Sequence, residues 1–157
     1  MLDLDTLDLD DIATALSDQT DYETRWLIDP RTGEIVFWTS DTGVDGQNPV
    51  DLDDLDHLLL IDPLPPSVWY GDMADFAEQV SDPAAHRRLG RALSGRGAFR
   101  RFKDELYGEY PELVSVWHVF RDARAQGRAV EWLLEQELIS EAAAEGYAEA
   151  HPDPAVP

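Results

Sequence analysis

The hydrophobic pattern of this chain changes near Pro66, and that change limits the fold classes open to it. Before Pro66, short runs of aromatic and β-branched residues alternate with polar residues, which is typical of half-buried β-strands. After Pro66, apolar residues recur every three or four positions, which is typical of amphipathic helices. Because the predicted strands lie before Pro66 and nearly all of the predicted helices lie after it, the sequence predicts an α+β fold. We expect a small antiparallel sheet, built on an N-terminal β-hairpin and packed against four or five helices.

The β-hairpin is the clearest local prediction. Residues 22–29 and 34–40 are rich in aromatic and β-branched side chains, and Pro30-Arg-Thr-Gly33 joins them. Pro30 suits the second position of a type I turn, and Gly33 can adopt the positive φ of a bulge. Residues 57–61 predict a third strand, since an isolated hairpin is only marginally stable in water.

Capping residues and glycines divide the helical part of the chain. Asp8 is a good N-cap for a short first helix, and Asp82 followed by Pro83 begins another. Gly95 and Gly97 end that helix, and Gly127 predicts a later break. The apolar positions that we expect to face the core are Ile12, Leu16, Val68, Met73, Phe76, Val80, Leu89, Ala92, Leu93, Phe99, Phe102, Leu106, Leu113, Val116, Trp117, Phe120, Trp132, Leu133 and Ile139.

A length of 157 residues fits one domain of ordinary size. The sequence therefore predicts a single α+β domain over residues 1–140. Residues 141–157 are rich in Ala, Glu and Pro and have little to bury, which predicts an acidic, flexible C-terminal tail.

The sequence has no cysteine, which excludes disulfides, thiolate zinc sites, iron–sulfur clusters and cysteine nucleophiles. No segment approaches the roughly 20 apolar residues of a membrane-spanning helix. The first residues are acidic, whereas a signal peptide begins with basic residues. We therefore expect a cytoplasmic protein that makes no membrane contact and needs no cofactor.

Charge is distributed very unevenly along the chain. The net charge is −21, from 33 acidic and 12 basic residues, and residues 1–86 hold 21 of the acidic ones. Residues 87–103, called the basic segment below, contain seven basic residues and no acidic one. Residues 129–157 contain seven acidic residues and no basic one. Because the chain as a whole repels polyanions at long range, the basic segment is its most informative feature.

The basic segment supplies the candidate binding residues. The run from Gly95 to Ala98 precedes a predicted helix, so its backbone N–H groups and the helix dipole can attract an anion. Arginine side chains can add bidentate contacts to phosphate or carboxylate groups. The candidate anion- or partner-binding residues are Arg91, Arg96, Arg100, Arg101 and Lys103.

The same cations have other interpretations. They can pair with acidic side chains of the same chain, bind nucleic acid or another anion, or dock onto an acidic protein. The glycines do not form a P-loop, because the Gly-Lys-Ser/Thr ending is absent. The sequence leaves all three interpretations open.

No motif in the sequence requires an enzyme. The four histidines, at positions 57, 86, 118 and 151, show no metal-binding spacing, and Ser94 lies in no nucleophile elbow. We therefore expect a non-catalytic binding or regulatory protein that uses its Arg-rich face for an anionic partner, either nucleic acid or an acidic protein. The alternatives are a small metal-independent enzyme that uses His118 with carboxylates, and a purely structural protein-interaction module.

The segment Ala92-Leu-Ser-Gly-Arg-Gly-Ala-Phe-Arg-Arg-Phe-Lys-Asp104 resembles the central motif of an uncharacterised bacterial protein family of the UPF type. The hairpin turn over residues 29–34, the helix over residues 73–80, Trp117 with Phe120, and Glu131-Trp-Leu are also similar. The resemblance covers roughly residues 22–139. It implies one domain in the bacterial cytosol, and it implies no activity, cofactor or catalytic residue.

Overall fold

The computed structural model describes residues 1–18 and 23–157. Its three strands are β1 (Thr24–Ile28), β2 (Ile35–Thr39) and β3 (Leu59–Ile61). Single turns of 3-10 helix lie at Leu4–Thr6, Leu52–Leu55 and Pro111–Leu113. The α-helices are α1 (Leu9–Ser17), α2 (Pro66–Gln79), α3 (Pro83–Ala92), α4 (Ala98–Glu109), α5 (Val114–Glu135) and α6 (Glu141–Ala150). The predicted α+β fold is confirmed; Tyr22, which we assigned to the first strand, lies outside the described residues.

The sheet is antiparallel, with strand order β2-β1-β3. In the central strand, Trp26 lies opposite Phe37 of β2 on one side and Ile61 of β3 on the other. The Trp26 and Phe37 rings pack with their centroids 4.8 Å apart. The predicted hairpin therefore forms β1 and β2, and the predicted third strand completes the sheet with a shorter span than expected.

The turn between β1 and β2 depends on Asp29 and Gly33. The Asp29 carbonyl accepts a hydrogen bond from the Gly33 N–H at 2.8 Å, and its carboxylate accepts one from the Arg31 N–H at 2.9 Å. The Arg31 N–H is the main reason why the pKa of Asp29 is lowered from its ordinary value of 3.8. Gly33 has a φ of 81°, and a Cβ at this position would collide with Leu7.

The chain forms two compact units. The first comprises Met1–Leu64 and Gln126–Ala150. Asp8 begins α1 by accepting a hydrogen bond from the Asp11 N–H at 3.0 Å, which places Ile12 and Leu16 in the core. Other large side chains that this unit buries completely include Leu27, Ile28, Ile61, Leu133 and Ile139.

The second unit comprises Pro65–Ala125 and His151–Pro157, and four aromatic rings form the centre of its core. The Phe76 ring lies 5.2 Å from Trp117 and 5.6 Å from Phe120, and Phe102 lies 5.1 Å from Trp117, measured between centroids. Their tilted and edge-to-face packing is the arrangement that aromatic quadrupoles favour. This core fixes α2, α4 and α5, and α4 carries three of the seven basic residues of the basic segment.

Three local features differ from what the sequence predicts. Gly127 does not interrupt α5, which continues to Glu135. Phe99, expected in the core, is 36% exposed. The predicted tail contains α6, begun by the Ser140 hydroxyl, which accepts a hydrogen bond from the Ala143 N–H at 3.1 Å. The assignment of residues 1–140 to a single domain and the flexibility of residues 141–157 stay predictions.

Candidate anion-binding surface

The basic segment lies on α3, the following loop and α4. Asp82 begins α3 by accepting a hydrogen bond from the Ala85 N–H at 2.9 Å. Gly95 and Gly97 have φ angles of 74° and 75°, and Gly97 is the N-cap of α4. These left-handed conformations, which glycine adopts at little cost, join α3 to α4, and the two helices pack against each other. All seven basic residues therefore lie on one helical pair.

Arg101 is engaged inside this helical pair. Its Nε donates a hydrogen bond to the Ala92 carbonyl at 3.1 Å. Its two terminal nitrogens donate to the carbonyl oxygens of Ser94 and Arg96. A Cβ at Gly97 would lie 3.3 Å from the guanidinium. Arg101 thus ties the end of α3 to the start of α4, because its three nitrogens donate to one carbonyl group of α3 and to two of the loop.

Arg88 is engaged in a similar way. It lies 2.5 Å from the Glu105 carboxylate and 3.6 Å from that of Glu109, and its guanidinium lies over the Tyr110 ring at 5.9 Å. Desolvation acts to lower the pKa of Arg88, but attraction to Glu105, Tyr110 and Glu109 raises it overall. These contacts join α3 to the far end of α4, so Arg88 stabilises the helical pair.

The other five cations of the basic segment point to solvent. Arg100 lies 3.8 Å from Asp104, with side chains 90% and 73% exposed, and such a pair contributes little. Within the part of the chain that the structure describes, the remaining four make no ion pair, although acidic residues outnumber basic ones in the sequence. We call these five residues the cationic face; they are Arg87, Arg91, Arg96, Arg100 and Lys103.

A shallow depression separates α3 from α4 and borders the cationic face. Arg88, Arg91, Ala92, Arg101, Asp104 and Glu105 line it. Because two carboxylates lie among its three guanidinium groups, the depression is poorly suited to enclose a small anion. The depression extends from Arg91 on α3 to Asp104 on α4, and Asp104 pairs loosely with Arg100. The cations of the two helices therefore border one continuous surface. The N-cap of α4, Gly97, has no side chain that could accept a hydrogen bond from the first backbone N–H groups of the helix.

Two exposed aromatic rings accompany these cations on α4. The buried face of α4 consists of Ala98, Phe102 and Leu106. Phe99 and Tyr107 therefore point outwards, with exposed fractions of 36% and 44%. Neither ring is expected at the surface from the sequence alone. The spacing of Ala98, Phe102 and Leu106, at i, i+4 and i+8, is that of one helix face. This spacing could have indicated that Phe99 and Tyr107 lie on the other side of the helix.

His118 fixes one of these rings. Its Nε2 lies 2.9 Å from the Tyr107 hydroxyl, and the two ring centroids lie 6.1 Å apart. The hydrogen bond holds Tyr107 on the surface of α4. Among residues 1–18 and 23–157, no three His, Asp or Glu side chains are grouped so that they could hold a metal ion.

The most buried charged cluster lies elsewhere in the second unit. Arg124 pairs with Asp72 at 3.2 Å, with Asp75 at 2.9 Å and with Asp153 at 3.0 Å, and it lies 4.9 Å from the centre of the Phe120 ring. Burial acts to lower the pKa of Arg124, but the contacts with Asp75 and Asp153 raise it overall. Since three carboxylates surround one guanidinium, this cluster attaches the segment after α6 to the second unit and offers no cationic surface.

Comparison with known proteins places the chain in a family. The model of the uncharacterised protein family UPF0158 matches residues 3–150. The chain belongs to the UPF0158 family. A relative, the UPF0158 protein PA5073 of Pseudomonas aeruginosa, is 32% identical over 133 residues, which is 85% of this chain and 84% of the relative. The predicted membership in an uncharacterised bacterial family is thus confirmed.

The comparison with solved structures gave no significant match. The description of the UPF0158 family names no activity, ligand or catalytic residue, so the chemistry must be inferred from the surface itself. None of the described helices combines the length and the apolarity that crossing a bilayer demands.

Proposed function

We propose that this UPF0158 protein is a non-catalytic binding or regulatory protein that engages an anionic partner through the cationic face. The proposal is supported by a difference between two groups of basic residues within the basic segment. Arg88 and Arg101 are engaged by internal acceptors, whereas four cations of the face have no ion-pair partner among the described residues. Acidic residues are abundant in this sequence, so cations left without them are available to a partner.

The role of each candidate residue differs within this proposal. Arg91, Arg96, Arg100 and Lys103 contact the anion, and Arg101 positions the loop that carries Arg96. Guanidinium groups suit this task because they remain charged and form bidentate contacts with phosphate or carboxylate oxygens. We also propose the cytoplasm as the site of action, which the cysteine-free sequence supports.

The net charge of −21 opposes the approach of any polyanion, but its reach is limited. At physiological ionic strength, exposed charges are screened beyond about 8 Å. An anion in contact with the cationic face therefore interacts mainly with nearby arginines. Distant carboxylates lower the association rate more than they weaken the bound state.

The proposal is tested by the binding of fluorescently labelled inorganic polyphosphate, which presents charge without bases or side chains. We expect the wild-type protein to bind at low salt and the Arg96→Glu/Arg100→Glu variant to bind roughly tenfold more weakly or worse. A matched control is Arg31→Glu/Arg121→Glu, which changes the net charge equally at two exposed arginines paired with Asp29 and Asp122. Absence of wild-type binding, or equal loss in both variants, would refute the proposed function.

A further inference from the structure

The outward side of α4 combines positive charge with aromatic rings at helical spacing. Phe99, Lys103 and Tyr107 follow one another at intervals of four residues, and Arg100 lies beside them. At about 100° per residue, these four side chains leave the helix within roughly 100° of its circumference. They form one stripe, in which each ring has a cationic neighbour one turn away.

The two rings lie at a separation that an extended chain can bridge. With a rise of about 1.5 Å per residue, the backbone positions of Phe99 and Tyr107 are about 12 Å apart along α4, with Lys103 midway. The Tyr107 hydroxyl lies 2.9 Å from His118 Nε2, and 44% of Tyr107 is exposed. Arg96 precedes the N-cap of α4 and extends the positive charge beyond Phe99.

We infer that the partner of the cationic face is a single-stranded nucleic acid, whose bases stack on Phe99 and Tyr107 while its phosphates contact Arg96, Arg100 and Lys103. This inference rests on the proposed function and specifies the chemistry of its anion. A single strand offers phosphates and unpaired π-faces together, and both kinds of group have a counterpart on α4.

Charge and ring placement favour this partner over the other polyanions. A duplex keeps the faces of its bases stacked on one another, so it can satisfy the cations and not the rings. An acidic protein segment supplies carboxylates, which need arginine or lysine and leave the two exposed rings without a function. Asp104 borders this side of α4 and is loosely paired with Arg100.

The test compares three labelled probes: a short single-stranded RNA of mixed sequence, polyphosphate, and polyglutamate. Phe99→Leu and Tyr107→Ala each remove an aromatic ring without changing charge, and Tyr107→Phe is the control. Phe99→Leu keeps an apolar side chain and loses the aromatic face, whereas Tyr107→Phe keeps the ring and loses only the hydroxyl that contacts His118. We expect Phe99→Leu to weaken RNA binding roughly tenfold and to leave polyphosphate binding unchanged, because stacking contributes about that factor per base. Tyr107→Phe is expected to retain RNA binding, and Tyr107→Ala to lose it as Phe99→Leu does.

The outcomes separate this inference from the proposed function. If no probe binds, both are refuted. If polyphosphate binds and depends on Arg96 and Arg100, but RNA binding is unaffected by Phe99→Leu and Tyr107→Ala, the proposed function stands and the nucleic-acid inference is overturned. If polyglutamate binds more tightly than RNA, the nucleic-acid inference is also overturned, and the result indicates an acidic protein as the partner. Circular dichroism of each variant verifies that the fold is retained, which the exposure of both rings predicts.

Discussion

Two neighbouring arginines on α4 are predicted to differ sharply in their contribution to stability. Arg101 donates hydrogen bonds to the carbonyl groups of Ala92, Ser94 and Arg96, whereas Arg100 makes only an exposed pair with Asp104. Each intramolecular hydrogen bond contributes about 0.5–1.5 kcal/mol net to the free energy of unfolding. Water can replace the guanidinium at these surface carbonyl groups, so we take the lower part of that range. The expected cost of Arg101→Ala is then about 2 kcal/mol, and that of Arg100→Ala is below about 0.5 kcal/mol.

Urea unfolding followed by far-ultraviolet circular dichroism measures this difference. Both variants remove one positive charge from adjacent positions, so the general electrostatic effect of the net charge cancels between them. With an m-value of about 2 kcal/mol per M, Arg101→Ala is expected to lower the unfolding midpoint by about 1 M and Arg100→Ala to leave it nearly unchanged. Equal midpoints for the two variants would refute the assignment of Arg101 as the residue that ties α3 to α4.

Three further predictions concern the two units. Phe76→Ala removes the ring at the centre of the aromatic core and should lower the free energy of unfolding by about 3–5 kcal/mol. Calorimetry should show this as a lower Tm, and a loss below about 1 kcal/mol would contradict the packing. The folded-state pKa of Asp29 is lowered, so its contribution to stability is complete above the ordinary value of 3.8 and is lost as the pH falls through the lowered pKa. Unfolding free energies measured from pH 6 to pH 2 should therefore fall less steeply for Asp29→Asn than for the wild type, and equal slopes would exclude this linkage. Gly33→Ala should destabilise the protein more than Gly46→Ala, since both have a φ of 81° but only Gly33 lies against Leu7; similar thermal shifts for the two would count against that contact.

Local chemistry made part of the fold predictable. The carboxylates of Asp8 and Asp82 accept hydrogen bonds at the starts of α1 and α3, and Gly33 has the positive φ that its turn requires. Each of these features depends on residues within four positions, so the sequence contains the whole interaction. The helix start at Ser140 was equally local, and it was missed because the Ala- and Glu-rich composition after it suggested a tail.

Tertiary contacts determine which residues of α4 are buried and whether α5 continues through Gly127, and local sequence patterns do not. Phe99 fits an i, i+3, i+7 series with Phe102 and Leu106, but Ala98 fits an i, i+4, i+8 series with the same two residues, and packing selects Ala98. Gly127 costs a helix only about 1 kcal/mol relative to alanine, which the burial of neighbouring apolar residues offsets.

Contacts between residues that are far apart in sequence also determine which arginines of the basic segment are engaged internally. Arg88 meets Glu105 across α3 and α4, and Arg101 reaches the carbonyl of Ala92, nine positions earlier. No spacing rule distinguishes these two arginines from Arg96 and Arg100. The sequence could therefore identify the basic segment as the candidate surface, and only the arrangement of α3 and α4 indicates which cations remain available.

The salt dependence of binding tests the central claim most directly. The association constant for labelled single-stranded RNA is measured over a range of salt concentrations for the wild type, for Arg96→Gln/Arg100→Gln and for the control Arg31→Gln/Arg121→Gln. If the cationic face holds the phosphates, the slope of log K against log salt becomes shallower by roughly 1.4 in the first variant, about 0.7 for each lost contact, and stays unchanged in the control. An identical slope in all three proteins, or no wild-type binding at low salt, would contradict the claim that this surface holds the phosphates of a single-stranded nucleic acid.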